Sequence, residues 1–144
     1  MSRVFPLAGL LRLRRLQEEA AAAKLAAANT RVRETADEQA EAYLSLTESP
    51  VMATDSATMH AVAAARASSR AMLADLAALG SRLESDAAAA QTVYSAARAE
   101  SVGLEKLEAR HAGFVAAEDL RTEQTVLDEL AGTAWQRRQK EAMS

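Results

Sequence analysis

The side chains able to perform chemistry are sparse in this sequence and form no recognisable catalytic pattern. Its two histidines, His60 and His111, are far apart, and it has no cysteine to act as a nucleophile or a metal ligand. Carboxylates occur in close pairs, as they do in a metal site or an acid–base pair: Glu105 with Glu108, and Glu118 with Asp119. On a long helix, such pairs are typical of a solvated charged face. The sequence also lacks a phosphate-binding glycine loop and a nucleophile elbow, so we predict no active site, no metal and no cofactor.

The elements that carry these side chains are expected to be long helices. The 144 residues include 3% aromatic residues, five glycines and two prolines, and they are rich in Ala, Glu, Arg and Leu. This composition is typical of a coiled coil rather than of a globular core. We therefore predict an all-α fold: a single domain built as a long antiparallel two-helix coiled coil. The net charge of −3 argues against non-specific nucleic-acid binding, and the lack of cysteine fits a reducing compartment.

An apolar segment near the N-terminus has three interpretations: an export signal, a membrane anchor or the start of a helix. Its apolar run, residues 4–11, ends at Arg12 and is much shorter than the roughly 20 residues of a membrane span. A secretory signal carries its positive charges before the apolar run, whereas here most of them follow it. An Ala-rich tract then continues the helical pattern. We interpret the segment as the start of a long helix, with an interfacial amphipathic helix as the alternative.

Two positions compete for the turn between the helices. Pro50 cannot continue a helix, and good N-cap residues for the next helix follow it: Thr54, Asp55 and Ser56. Gly80 is the alternative, because glycine suits a helix C-terminus and a capping box follows at 81–84. We prefer Pro50, which makes the return helix overhang the first. The predicted bounds are a helix over about 7–46, a tip over about 47–57 with room for a short extra helix, and a return helix over about 58–137.

The buried face of each helix is predicted by stepping along the chain alternately by three and four residues. In the second half, the predicted seam contains Val62, Ala65, Ser69, Met72, Leu76, Leu79, Leu83, Asp86, Ala90, Val93, Ala97, Glu100, Leu104, Leu107, His111 and Phe114. Asp86 and Glu100 are exceptions, and the neighbouring Ala87 and Ser101 would serve on an adjacent track. In the first half there are two tracks, with a shift near 25–32: Leu13, Leu16, Ala20, Ala23 and Ala27, then Leu25, Val32, Tyr43 and Leu46.

Pairing of the helices is expected to bring two basic ends together. The basic residues are Arg12, Arg14 and Arg15 at one end, and Arg137, Arg138 and Lys140 at the other. Between Asp75 and Glu129 the chain is acidic, with eleven acids against five bases. Trp135, the single tryptophan, either packs against Phe5 or Leu7 where the helices meet or serves as an anchor for a partner.

Three segments together resemble the FliJ family of flagellar type III export proteins. They are "FPLAGLLRLRRLQEEAAAAKLAAAN" near the N-terminus, "LEKLEARH" at 104–111 and "FVAAEDLRTEQTVLDELAGTAWQRR" at 114–138. Their order and spacing agree with the family over essentially the full length. The segment 47–100 carries little family information, and the first helix is about two turns short for the family.

The resemblance implies a cytoplasmic, non-enzymatic export component, peripheral at the inner membrane. Family members form an antiparallel coiled coil similar to the central stalk of rotary ATPases; they enter the ring of the export ATPase FliI, contact the export gate protein FlhA and handle export chaperones. By this resemblance, the candidates for ATPase binding are Leu10, Arg14, Arg15, Leu127, Leu130, Trp135 and Arg138. The candidates for gate binding, which match no strict motif, are Tyr43, Leu46, Met72 and Leu76. The alternative function is a scaffold or membrane-surface coiled coil that touches anionic lipid with its Arg/Leu N-terminus.

Overall fold

The chain folds into two long helices. The computed structural model describes residues 3–48, 52 and 54–144, and its helices are α1 (Ala8–Glu48) and α2 (Ser56–Met143). No strand occurs in these ranges, which confirms the predicted all-α hairpin class. Pro50 lies outside the described residues, and Gly80 lies inside α2. The described residues between α1 and α2 form no additional helix.

A short turn starts α1. The amide of Ala8 donates to the carbonyl of Phe5 at 3.1 Å, and the amide of Leu11 donates to the carbonyl of Leu7 at 2.9 Å. Pro6 lies inside this turn, where its lack of an N–H group leaves no helix bond unmade. Residues 3–7 are therefore turned and do not extend the helix.

Asp55 starts α2 as its N-cap. Its side-chain oxygen accepts a 2.7 Å hydrogen bond from the amide of Thr58, and its carbonyl accepts the first helical bond, from the amide of Met59. This geometry satisfies an amide that the first turn would otherwise leave without a partner. One of the three N-cap candidates in the sequence is thus the residue that caps the helix.

The Asp55 cap is expected to make stability depend on acid. Hydrogen bonds from the side chain and backbone of Thr58 lower the pKa of Asp55 below 3.8 in the folded chain. Because the folded pKa is the lower one, the cap contributes its full stability above pH 3.8, and that contribution is lost as the pH falls through the folded pKa. Asp55→Asn keeps an acceptor but cannot ionise. We expect wild type to unfold at a higher temperature than Asp55→Asn at pH 6, and the difference to shrink as the pH falls below 3.8. A difference that stays constant over this range would contradict the role.

Contacts divide the chain into two units, and each helix contributes to both. The terminal unit comprises Met1–Arg14 and Glu100–Ser144, and the central unit comprises Arg15–Ala99. In the central unit the helices run antiparallel: Arg98 Nη1 lies 3.0 Å from Glu18 Oε1, and further along the pair Gly80 faces Thr35 and Gln39. The helices are also antiparallel in the terminal unit, where Phe5 contacts His111 and Arg14 pairs with Glu100.

The buried face of α2 has the predicted spacing, but only about half of the predicted residues lie on it. In the central unit, the least exposed positions at this spacing are Val62, Arg66, Ser69, Leu73, Leu76, Gly80, Leu83, Ala87, Ala90, Tyr94 and Ala97. At every second position of this series, the covered residue is the one that directly follows the predicted residue in the sequence. Met72, Leu79 and Val93 are consequently exposed. The predicted seam was therefore wrong at alternate positions, and Ala87 replaces Asp86 as the neighbouring track suggested.

The buried face of α1 also differs from the prediction. Its least exposed positions in the central unit include Glu18, Ala21, Leu25, Ala28, Val32, Thr35, Gln39, Ala42 and Leu46. These residues form one regular series, so the predicted shift near 25–32 is absent here. The track beginning at Leu13 and Leu16 was wrong, because both side chains are mostly exposed. In the terminal unit Leu11, rather than Leu13, is the buried leucine of α1, at 2% exposure.

Gly80 is a point where the helix pair can be strengthened. A Cβ atom at this position would meet Gln39 Nε2 at 3.6 Å and Thr35 Cγ2 at 3.8 Å, which are ordinary van der Waals distances. Because glycine weakens a helix interior, Gly80→Ala is expected to raise the free energy of unfolding by about 1 kcal/mol. Urea denaturation measures this change. Gly103→Ala, where a Cβ meets nothing within 4 Å, is the matched control; a loss of stability at Gly80 alone would contradict the prediction.

Candidate functional site

The last part of α2 is a helix without a packed face in the described structure. From Leu120 to the end of α2 every residue is exposed, whereas positions before it still include half-buried residues. We call residues 120–143 the C-terminal extension. At 1.5 Å per residue it measures about 36 Å. A single helix of this length is marginal in water unless it packs an apolar face against something.

The C-terminal extension carries a row of large apolar side chains. Leu127 is 60% exposed, Leu130 62% and Trp135 60%, and Leu120 and Val126 are exposed to a similar degree. Leu120, Leu127 and Leu130 have the spacing that places side chains on one face of a helix. Isolated exposed leucines are common on proteins, but a row of them on an otherwise charged helix indicates a surface for association.

Charges divide this extension into two halves. The first part carries three acids, Glu123, Asp128 and Glu129, against Arg121. The last part carries three bases, Arg137, Arg138 and Lys140, against Glu141. The helix dipole favours bases at a C-terminus, and Lys140 lies in the last turn of α2. The surface thus joins an acidic part, an apolar centre and a basic end.

The segment before α1 packs at the base of the extension. Phe5 and His111 lie with ring centroids 5.7 Å apart, and Arg3 Nη2 lies 2.7 Å from Asp119 Oδ2. A groove of about 350 Å³ is bounded here by apolar and charged side chains, including Phe5, Leu7, Leu107, His111 and Phe114. Over its described residues, from Arg3 onward, the N-terminal segment covers α2 as far as Asp119.

This arrangement overturns the expectation that the two basic ends meet. Arg14 Nη1 pairs with Glu100 Oε2 at 2.7 Å, and Arg3 pairs with Asp119. The prediction that Trp135 packs against Phe5 or Leu7 was also wrong, because Phe5 contacts His111, about 36 Å of helix before Trp135. The reason is the register of the pair: α2 continues past the start of α1.

The seven residues predicted for ATPase binding consequently fall into separate groups. Leu127, Leu130, Trp135 and Arg138 share the C-terminal extension. Leu10 is 38% exposed and Arg14 is engaged with Glu100, and both belong to the α1 part of the terminal unit. Arg15 is exposed and belongs to the central unit. The extension is therefore the part of the chain that concentrates these candidates.

The four residues predicted for gate binding all lie in the central unit. Met72 and Leu76 line a shallow groove of about 380 Å³ together with Ala42, Ser45 and two glutamates of α1. Tyr43 is 60% exposed, and Leu46 is half-buried. The structure thus brings Met72 and Leu76 together at one groove.

Sequence reasoning missed several exposed apolar residues at and near the extension. Phe114 and Leu107 were placed on the buried seam, yet Phe114 is 61% exposed. Leu120 and Val126 were not singled out. The sequence did contain a signal. Beyond Phe114 the same steps reach charged residues, including Glu118, Arg121 and Asp128, so the predicted seam ends there. Large apolar residues nevertheless continue along the chain, on another face of the helix.

Other kinds of site leave no trace in the described part of the chain. Among residues 3–48, 52 and 54–144, no group of three His, Asp or Glu side chains is placed to hold a metal ion. His60 is exposed on α2, while His111 packs with Phe5. Neither helix, over its described length, offers a stretch apolar enough for a bilayer crossing.

The fold and this surface define a long α-helical coiled-coil protein with an uncovered helical end. A family model described as "Flagellar FliJ protein" matches residues 2–140. The chain belongs to the FliJ family, whose members are non-enzymatic components of flagellar protein export. Comparisons with curated proteins and with solved structures find no significant match.

Proposed function

We propose that this chain binds the export ATPase ring through its C-terminal extension and stimulates ATP hydrolysis there. The observation that carries the proposal is the group of exposed apolar residues Leu127, Leu130 and Trp135, on a helix with no packed face in the described structure. Trp and Arg are enriched at interface hot spots, and Trp135 is followed by Arg137 and Arg138. Binding would cover the face that the helix leaves open.

The mechanism follows from shape rather than from catalytic groups. A helical protein without a reaction centre changes an ATPase rate only if it binds one state of the ring more tightly than another. Tighter binding to the assembled ring, or to one subunit conformation, shifts the population toward that state. The bases at the end of the extension favour an acidic receptor, and their contribution falls as salt rises.

Titration of the purified chain into the cognate ATPase tests this proposal. We expect the rate of phosphate release to rise and saturate, with a matching change in ring assembly measured by light scattering. A lysine-rich helical peptide of the same length controls for charge. An unchanged rate and unchanged assembly at saturating chain would refute the proposal.

We propose that the central-unit groove at Met72 and Leu76, with Tyr43 and Leu46 nearby, faces the export gate. Two observations support this proposal. Met72 is exposed and lines the groove together with Ala42 and Leu76, and Tyr43, the residue after Ala42, is also exposed. Contact with the gate and with export chaperones would hold the chain peripherally at the cytoplasmic face of the inner membrane. Co-sedimentation with the gate's cytoplasmic domain tests this assignment.

A lipid-binding scaffold is the second candidate function. It is favoured by the partly exposed Leu7, Leu10 and Leu13 beside Arg12. Arg3 and Arg14 are paired with carboxylates of α2, which reduces the positive charge available to lipid. Flotation of the full chain with anionic vesicles separates the candidates: salt-sensitive binding supports lipid, and its absence supports the export function alone.

A further inference from the structure

The exposed face of the C-terminal extension is complementary to itself. Leu120, Leu127, Leu130 and Ala134 repeat at steps of seven, three and four residues, which keeps them on one side of the helix. Glu123 falls in the same series between Leu120 and Leu127, and Arg137 continues it after Ala134. The face therefore has a carboxylate before its apolar centre and a guanidinium after it.

The positions of these two charges are symmetric about Leu130. Glu123 lies one heptad before Leu130, and Arg137 lies one heptad after it. When two copies of the helix lie antiparallel about a two-fold axis at Leu130, Glu123 of each copy faces Arg137 of the other. A parallel pair would instead place Glu123 opposite Glu123 and Arg137 opposite Arg137, which is unfavourable. Two-fold pairing is also the commonest symmetry of homo-oligomers.

We propose that the C-terminal extensions of two copies of this chain associate as an antiparallel coiled coil, with the axis at Leu130 and two Glu123–Arg137 ion pairs. Pairing covers Leu127 and Leu130, which are otherwise about 60% exposed. It gives each extension the apolar contact that a marginal single helix needs. Leu127 and Leu130 are also proposed above to bind the ATPase, so pairing of two copies would withhold these two residues from the ring.

Complementary charge reversal tests the pairing without any ATPase. Glu123→Arg makes both ends of the face basic, and Arg137→Glu makes both ends acidic. Neither variant can pair with itself in the antiparallel register, but each can pair with the other. Sedimentation velocity on the full chain is expected to show concentration-dependent dimers for wild type, an about tenfold weaker association for each variant, and recovery of dimers in their equal mixture.

The orientation and axis have an independent measurement. The chain has no cysteine, so Leu130→Cys places a single thiol at the proposed axis, and Gly103→Cys places one on the same helix outside the extension. In a glutathione redox buffer we expect dimers linked at Cys from the first variant and not the second. Circular dichroism of both variants checks that they keep the helix content of the wild-type chain.

Two results would overturn the proposal. One is a wild-type chain that stays monomeric up to millimolar concentration. The other is equal association of wild type and both charge variants, which would mean that the charges of this face do not meet. Because these measurements contain only the chain, neither result bears on whether the ATPase is stimulated.

Discussion

Leu11→Ala is expected to lower the free energy of unfolding by about 3 kcal/mol, the largest effect of any single truncation in the terminal unit. Leu11 is 2% exposed and is one of the two largest fully buried side chains among the described residues; the other is Ser101, also in the terminal unit. Most of this unit is a helix with little burial, so few other contacts can take up the loss. Truncation removes apolar burial and leaves a cavity at this position, and both losses lower the free energy of unfolding.

Leu13→Ala is the matched control. It lies on the same helix, makes the same chemical change and is 50% exposed, so its effect should stay within about 0.5 kcal/mol. Urea denaturation followed by circular dichroism measures both variants. Equal losses at the two positions would contradict the observed burial and favour the seam through Leu13 that the sequence pattern predicts.

Leu127→Ala combined with Leu130→Ala is expected to raise the concentration of chain needed for half-maximal ATPase stimulation by about 30-fold. Each leucine is an exposed apolar residue of the proposed interface, and truncating an interface hot spot costs about 1 kcal/mol or more, with tenfold in affinity for each 1.4 kcal/mol. Alanine is a good helix former, so the extension keeps its helix propensity. Phosphate release at increasing chain concentration gives the shift.

Val93→Ala controls for loss of exposed apolar surface as such. Val93 is 58% exposed on the same helix and lies in the central unit, outside the proposed interface. Its stimulation curve should overlay that of wild type, and thermal unfolding of all variants should stay close to wild type. If the double variant stimulates like wild type, the extension is not the surface that meets the ATPase.

The fold class could be predicted because its signals are local. Scarce glycine and proline, apolar spacing of three and four residues, and an N-cap at Asp55 each act within a few residues of chain. The buried track was harder, because alanine occurs on every face and does not distinguish them. Stepping by three and then four residues from Val62 favoured Met72, Leu79 and Val93, whereas the helix pair covers the next residue in each case: Leu73, Gly80 and Tyr94.

The residues of the candidate site could not be predicted because they depend on the register between the two helices. Local sequence patterns do not determine that register. From the sequence, Arg14 was predicted to belong to a basic end, whereas in the structure it pairs with Glu100 of α2. Trp135 was predicted to pack against Phe5 or Leu7, whereas Phe5 contacts His111. Register is the sum of many weak contacts along both helices. A predicted turn near Pro50 therefore implied that α2 would extend past α1, but not which residues the extension would contain.

The exposed C-terminal extension also affects how readily proteases cut the chain. Local opening costs little where a helix has few packed contacts, and this stretch contains basic residues that trypsin-like proteases cut: Arg121, Arg137, Arg138 and Lys140. Trypsin is therefore expected to cut a free chain faster at these bonds than a chain whose extension is bound. Protection of the same bonds in the presence of a binding partner would report directly on occupancy of the extension.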